Sequence, residues 1–147
     1  MLRKLMVIDA TNLILGRLLT YAAKRAMEGN EVVILNISKA VISGSKGSII
    51  QKAKVRLRTR TLGSQDKAPR HPRKPTTYAR RALRGMLPFK KPKGKKAYKM
   101  VKIYDQPPPI YADVPKQNIP GAEATKLRSP YIYLGDLSKE IGGISYE

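Results

Sequence analysis

Residues 5–37 read LMVIDATNLILGRLLTYAAKRAMEGNEVVILNI and decide the fold class of the chain. Residues 5–10 are a short apolar run that reaches an aspartate, which is typical of a buried strand whose carboxyl end meets a turn. Residues 31–37 are an almost unbroken β-branched run, which indicates a strand covered on both faces. A strand, a helix and a strand within about 35 residues predict a βαβ unit with parallel strands and a right-handed crossover.

The residues between these two strands have the pattern of an amphipathic helix. We expect Thr11 or Asn12 to cap it by accepting a hydrogen bond from a free backbone N–H. Gly29 is expected to end it in the left-handed conformation. Its apolar face would be formed by Leu15, Leu18, Leu19, Ala22, Ala23, Ala26 and Met27.

Residues 40–60 continue the alternation of strands and helices less clearly. Residues 40–44, AVISG, predict a third short strand or a continuation of the second. Residues 49–60 suit a helix by their apolar spacing, but they also alternate apolar and basic residues as in a strand with one cationic face. We favour the helix, because Ser45 or Ser48 can cap it and an α/β pattern requires one.

The basic middle of the chain predicts a loop, a helix and a strand. Residues 62–75 hold three prolines and no hydrophobic period, which indicates a loop. A short strand is expected over residues 101–104. Between them we expect a threonine-capped helix over residues 77–87, ended by Pro88, with Tyr78, Ala82 and Leu83 facing inward and Arg80, Arg81 and Arg84 facing outward.

The last part of the chain is rich in proline. Residues 106–147 contain six prolines and predict an extended tail that wraps the body. Within it, residues 131–134 suit a short strand and residues 136–143 suit a helical turn. We therefore expect residues 1–105 to form an α/β domain whose basic arm covers about residues 62–100, followed by a proline-rich C-terminal extension over residues 106–147.

The net charge of +20 is concentrated in one segment. Residues 1–51 contribute +4, residues 52–102 contribute +18 and residues 103–147 contribute −2, and Asp66 is the only acid of the middle segment. A segment so one-sided repels itself unless a polyanion neutralises it. We expect a nucleic-acid partner and no membrane partner, because no amphipathic apolar face accompanies the charge.

Composition excludes several classes of site. The chain has no cysteine, which removes disulfides, cysteine-bound zinc and thiol nucleophiles and fits a reducing compartment. His71 is the one histidine and cannot build a histidine-rich metal site. No run of about 18 uncharged apolar residues is present, so no membrane-spanning helix is expected.

An RNA- or nucleotide-processing enzyme on a Rossmann-like body is the alternative function. It rests on Asp9 at a strand end, on the glycines of SGSKGS at residues 43–48, and on His71. The GxGxxG fingerprint and the P-loop spacing are absent, and the acids are few and scattered. We therefore predict no catalytic, metal or cofactor site, and we interpret Lys46 as an RNA-backbone contact beside exposed amides.

The basic segment itself predicts phosphate binding. Arginine donates in a planar fork that matches phosphate oxygens, and lysine adds a mobile point charge. Its aromatic residues Tyr78, Phe89 and Tyr98 suit either stacking on unpaired RNA bases or packing inside the protein. Residues 85–88, GMLP, suit an apolar plug that fastens the arm to the body. With Lys46, the predicted contacts of the first part of this segment are Arg56, Arg58, Arg60 and Lys67.

Several blocks together resemble the universal large-subunit ribosomal protein family thirteen over about residues 5–105. The long basic form and the C-terminal tail are similar to the archaeal and eukaryotic branch of that family. The blocks are VIDA…LGRL (7–18), GNEVVILN (29–36), ISG (42–44), HPRKP (71–75) and RALRGMLP followed by Gly94 and VKIYD (81–105).

This resemblance implies a three-layer α/β/α fold with a four-stranded, mostly parallel sheet, no enzyme activity and no small-molecule substrate. It also implies a cytoplasmic structural constituent of the large ribosomal subunit that binds large-subunit rRNA, contacts neighbouring ribosomal proteins and supports subunit assembly. A mobile RNA chaperone is a third reading of the same charge. Carried over residue by residue, the rRNA contacts are Arg70, His71, Arg73, Lys74, Arg80, Arg81, Arg84, Lys90, Lys91, Lys93, Lys95 and Lys96.

Overall fold

A computed structural model describes residues 2–143 and shows an α/β fold. Its strands are β1 (Leu5–Asp9), β2 (Glu31–Leu35), β3 (Val41–Ser43), β4 (Val101–Ile103), β5 (Lys116–Gln117) and β6 (Tyr131–Tyr133). Its helices are α1 (Leu15–Met27), α2 (Lys46–Arg58), α3 (Pro75–Met86), α4 (Pro92–Met100) and α5 (Leu134–Glu140). Short 3-10 turns lie at Ile37–Lys39, Gln65–Lys67, Pro109–Tyr111 and Ala124–Lys126.

Four of the strands form one parallel sheet in the order β4-β2-β1-β5. The β1–α1–β2 unit lies at its centre, and the two strands pair in the register Val7 to Val33. The apolar runs that predicted these strands are buried on both faces, as parallel strands require. The predicted α/β fold with a four-stranded parallel sheet is therefore confirmed.

The two faces of the sheet are covered differently. On one face, Ile8, Val32 and Ile34 belong to the main hydrophobic core, which also takes apolar side chains from α1, α3, α4 and α5. On the other face, Val7, Val33 and Leu35 pack against Tyr104, Tyr111 and Val114. The second face is thus covered by a connecting segment that contains one 3-10 turn. The helices α2, α3 and α4, which connect β3 to β4, contact the main core and so lie on the first face.

The start of α1 differs from the expectation. Neither Thr11 nor Asn12 caps the helix, which begins after Ile14 without a side-chain cap. The backbone N–H and the hydroxyl of Thr11 both donate to the Asp9 carboxylate, at 3.0 and 2.7 Å, so a local turn uses these groups instead. At the other end, Gly29 has a φ of +95° and ends the helix as predicted.

The ambiguous stretch after β3 is the helix α2, as favoured. Ser45 occupies its N-cap position but makes no side-chain hydrogen bond there. No residue of α2 is fully buried, so the helix rests on the core through partly buried side chains only. The preceding strand β3 does not join the main sheet but pairs antiparallel with β6 from the tail.

The helix α3 begins earlier than predicted. Pro75 occupies the first turn and Lys74 the N-cap position, so the expected threonine cap is wrong. Proline is favoured at this position because its missing N–H would have no helical partner. The predicted strand after α4 is confirmed as β4, and the predicted strand and helical turn of the tail are confirmed as β6 and α5.

The tail contributes to the core of the body. Its strand β5 adds the edge strand next to β1, and Ile119, Ile132 and Leu137 are buried in the main hydrophobic core. The hydroxyl of Ser138 is buried as well, on the inner side of α5. The predicted domain boundary at residue 105 stays a prediction. Residues before and after this boundary contribute to the same hydrophobic core.

A close approach at Gly94 holds the turn between α3 and α4. A Cβ added to Gly94 would overlap the carbonyl oxygen of Pro88 and lie 3.0 Å from the backbone nitrogen of Phe89. Both obstacles are backbone atoms, which cannot rotate away as a flexible side chain can. Gly94 therefore lets the RALRGMLP segment fold back directly onto α4.

We expect Gly94→Ala to lower the free energy of unfolding by about 1–3 kcal/mol, the usual cost of forcing extra atoms into a packed site. Gly47→Ala is the matched control, since a Cβ at this helical glycine meets no atom within 4 Å. The control should be neutral or slightly stabilising, because alanine favours a helix over glycine. Urea unfolding of both variants measures the difference, and equal midpoints for Gly94→Ala and the parent protein would contradict the close approach.

Candidate nucleic-acid interface

The residues predicted to bind RNA lie mostly on the surface. All of them are exposed except His71 and Arg80, which are half-buried. They come from the two ends of α2, the segment between α2 and α3, the helix α3, the turn before α4, and α4 itself. Within residues 2–143, the ion pairs Arg3–Glu31, Arg25–Glu28 and Lys116–Asp9 involve basic residues outside this set.

The structure brings one group of predicted residues around a single groove. The C-terminal half of α3 supplies Arg81 and Arg84, and the following turn supplies Lys90 and Lys91. The groove has a volume of about 730 Å³, and its apolar part comes from Leu87, Pro88 and Phe89. Four positive charges along one open groove suit a phosphate backbone.

Other predicted residues lie elsewhere. Lys93 and Lys96 face a second groove of about 630 Å³, which they share with Arg3 and the C-terminal end of α1. Lys46 begins α2 and so lies roughly 15 Å along the helix from Arg56, at 1.5 Å per residue. The predicted set is therefore a broad basic surface with at least two separate grooves.

Arg80 differs from the expectation that it faces outward. Its guanidinium donates to the carbonyl of Val101 at 3.0 Å and lies 4.5 Å from the centre of the Tyr98 ring. These contacts join α3 to α4 and β4, because Val101 is the first residue of β4. Sequence periodicity could not show this, since the contact depends on how the two helices pack.

Two of the three aromatic residues pack within the protein. The Phe89 and Tyr98 rings meet edge to face, with centres 5.3 Å apart and planes at 87°. The Arg84 guanidinium covers the Phe89 ring at 4.3 Å. Of the two roles left open for the aromatic residues, Phe89 and Tyr98 have the packing role in this structure.

A contact from the tail holds the end of the basic loop. The Ser138 hydroxyl, on α5, donates to the carbonyl of Arg73 at 2.6 Å. Ser138 is almost fully buried, and a Cβ on Gly143 would overlap both its hydroxyl and the Arg73 carbonyl. The sequence around Ser138 does not predict this role, because the partner of Ser138 lies 65 residues earlier in the chain.

Comparison with known proteins decides the family. The sequence profile described as Ribosomal protein L13 matches residues 3–109. The chain belongs to the ribosomal protein L13 family. The chain is similar to the large ribosomal subunit protein uL13 of Thermoplasma acidophilum, with 45% identity over 93% of this chain and 98% of the relative. The uL13 proteins of Methanococcoides burtonii and Methanococcus maripaludis are 41% and 40% identical, over 92% and 94% of this chain and 96% and 98% of theirs.

The L13-family match gives the enzyme alternative no support. The groups on which that alternative rested are also apart, because Asp9 and His71 line different clefts. Within residues 2–143, no group of three or more metal-binding side chains comes together. No helix in the same range is both long enough and apolar enough to span a bilayer.

Asp9 has a structural role in this family member. Besides the two bonds from Thr11, its carboxylate accepts one from the Asn36 side chain at 3.1 Å, and Lys116 lies 3.8 Å away. Partial burial raises the pKa of Asp9, but the hydrogen bonds and the Lys116 charge together outweigh it and hold that pKa below the ordinary value of 3.8. Asp9 thus links the carboxyl ends of β1 and β2 to the tail strand β5.

The effect of Asp9 on stability should depend on pH. Its lowered pKa in the folded state means that its charge stabilises the fold above pH 3.8, and that this contribution is lost as the pH falls below that value. We expect Asp9→Asn to be less stable than the parent at pH 7 and the gap to close in acid.

Asp105→Asn serves as the control with the opposite sign. Burial raises the pKa of Asp105 more than its hydrogen bond from the Ser38 backbone lowers it, so ionisation of Asp105 opposes folding. The measurement is the melting temperature of both variants between pH 2.5 and 7, a range that includes the ordinary pKa of a carboxyl group. A pH-independent gap for Asp9→Asn would contradict the role of its charge.

Removing the Ser138 hydroxyl should free the end of the basic loop. We expect Ser138→Ala to lose about 0.5–1.5 kcal/mol of stability, the usual net value of one hydrogen bond. Trypsin should also cleave faster after Arg73, while Ser129→Ala, at an exposed serine of the tail, should change neither property. Equal cleavage rates at Arg73 in both variants would contradict the anchoring contact.

Proposed function

We propose that this chain is a structural constituent of the large ribosomal subunit and that it binds large-subunit rRNA through its basic surface. The observation that carries the proposal is the charge distribution. Asp66 is the only acid between Glu31 and Asp105, so the exposed arginines and lysines of this stretch have almost no acidic neighbours in sequence. Membership of a family whose relatives are named large ribosomal subunit proteins supports rRNA as the polyanion.

The central contact would be made by the groove between α3 and the turn that follows it. Arg81 and Arg84 supply planar forks for phosphate oxygens, and Lys90 and Lys91 add point charges on the opposite side. Phe89 and Leu87 give this groove an apolar floor that keeps the charges apart from the core. The groove would therefore present four cations to an RNA backbone, with Arg84 held over the Phe89 ring.

The other predicted residues would extend this contact over a wider RNA surface. Arg80 is the least suited of these residues to bind RNA directly, because its guanidinium donates to the Val101 carbonyl and covers the Tyr98 ring. We assign to it the positioning of α3. The remaining contacts are Lys46, Arg56, Arg58, Arg60, Lys67, Arg70, His71, Arg73, Lys74, Lys93, Lys95 and Lys96.

Such a protein would act by joining RNA segments during subunit assembly. The α/β body supplies a stable core, and the repulsion among the charges of the basic surface is relieved only when phosphates neutralise them. We place the chain in the cytoplasm as part of the subunit, next to other large-subunit proteins. The relatives are archaeal uL13 proteins, which is consistent with that location.

We expect removal of the groove charges to weaken rRNA binding and to flatten its dependence on salt. A variant with Arg81, Arg84, Lys90 and Lys91 changed to glutamine should lose about 0.7–0.9 from the log–log salt slope for each phosphate contact removed. The measurement is the affinity for a large-subunit rRNA fragment between 50 and 200 mM salt, and the incorporation of the variant into sedimenting subunits.

A control variant with the same loss of charge tests whether position matters. Changing the exposed residues Lys4, Lys24, Lys126 and Arg128 to glutamine also removes four charges, but from outside the proposed interface. It should bind and sediment nearly as the parent does. If both variants behave alike, the groove is not the contact, and a parent chain that stays with free protein at low salt would contradict the function itself.

A further inference from the structure

A small cleft lies between α2 and α3, inside the basic surface and next to its main groove, with which it shares Arg81. Its volume is about 150 Å³. Ala53 and Leu57 of α2 form one wall, and Tyr78 and Ala82 of α3 form the other. The cleft is therefore lined mainly by apolar and aromatic side chains, and its charged residues are Arg56 and Arg81.

The side chains that α2 and α3 contribute to the cleft include two alanines. Ala53 and Ala82 fill little space, and α2 has no fully buried residue. Leu57 and Tyr78 are only half-buried, although both pack against the main core. Apolar surface left in water is unfavourable, so a ligand that covers these side chains would gain the free energy of burying them.

The volume of the cleft sets the size of that ligand. A cavity of about 150 Å³ holds a single benzene-sized ring. A pyrimidine base is such a ring, with apolar faces and a polar edge. The two aromatic side chains here, Tyr78 and His71, offer faces for stacking, and each has a polar group that can bond to the edge of a base.

The charges around the cleft decide between a base and a peptide side chain. Arg56 lies on the α2 wall and Arg81 on the α3 wall, so both sides of the opening are positive. An apolar peptide side chain brings no fixed negative charge to either side. A nucleotide within an RNA strand carries a phosphate on each side of its base, which matches this arrangement.

We propose that this cleft binds one unpaired, pyrimidine-sized base of RNA, with Tyr78 and His71 contacting the base and Arg56 and Arg81 the phosphates beside it. The proposal rests on the proposed function, which requires only phosphate binding. It adds that the surface selects an extruded nucleotide over a continuous duplex. It also gives Tyr78 the stacking role that Phe89 and Tyr98 do not have in this structure.

The test compares RNA probes with equal charge and different bases. The full-length protein is titrated with an oligouridine octamer and with an octamer of the same backbone that lacks all bases. Stacking of one base on an aromatic side chain predicts about 5- to 100-fold tighter binding of oligouridine. A 5-iodouridine octamer should also crosslink on irradiation to the peptides that contain His71 or Tyr78.

Two variants remove the base site and keep every charge. Ala82→Leu fills the cleft, and Tyr78→Leu replaces the aromatic wall with an aliphatic one of similar bulk. Both should lose most of the preference for oligouridine while keeping the salt slope of the parent. Ala112→Leu, at an exposed alanine on the second face of the sheet, is the matched control and should keep the preference.

The outcomes separate this inference from the proposed function. Equal binding of both octamers by the parent protein, or crosslinks confined to Phe89 and Tyr98, would overturn the base site and leave phosphate binding intact. Salt-independent or absent binding of both octamers would instead count against the basic surface as a whole. If Ala82→Leu does not fold, the parent titration, the crosslinks and Tyr78→Leu still decide the question.

Discussion

Repulsion among like charges is the constraint on which the rest of this structure depends. Between Glu31 and Asp105 the chain carries one acid, so its basic helices cannot be held by ion pairs with neighbouring acids in sequence. They are held by contacts that need no anion. Arg80 donates to a backbone carbonyl, Arg84 covers an aromatic ring, and Gly94 allows the backbone at Pro88 to meet α4. These contacts order the arginines of α3 and leave Arg81 and the lysines of the turn exposed for a polyanion.

The difference between the two faces of the sheet follows from this repulsion. All the basic elements lie on the side of α1 and the main core, where α3 and α4 can bury Leu83 and Ala97 and turn their charged sides to solvent. The opposite face is closed by the segment that contains Tyr104 and Tyr111, whose charged residues are the acids Asp105 and Asp113. The basic helices therefore lie on one side of the sheet, which suits a component that lies against RNA on that side.

Local sequence patterns were sufficient for the elements whose partners lie nearby. The βαβ unit follows from its apolar periodicity, and Gly29 ends α1 as a left-handed glycine should. The threonine caps were wrong because Asp9 takes the Thr11 N–H and because Pro75 begins α3 by itself. The edge strand β5 reads Lys-Gln and has no apolar pattern, and the orientation of Arg80 and the Ser138 anchor depend on distant residues. No local property of the sequence carries that information.

The pairing of β5 with β1 has a consequence for how the chain folds as it is made. Val7 pairs with Lys116, and α5 reaches back to Arg73, so the sheet edge and the anchor of the loop come from the part synthesised last. Because the chain emerges from its N-terminal end, all residues of the basic segment leave the exit tunnel before these partners do. Contacts across such long sequence separations form slowly. The newborn protein therefore exposes its full positive charge while its scaffold is incomplete, and any cellular factor that shields it must act during translation, before the last helix docks.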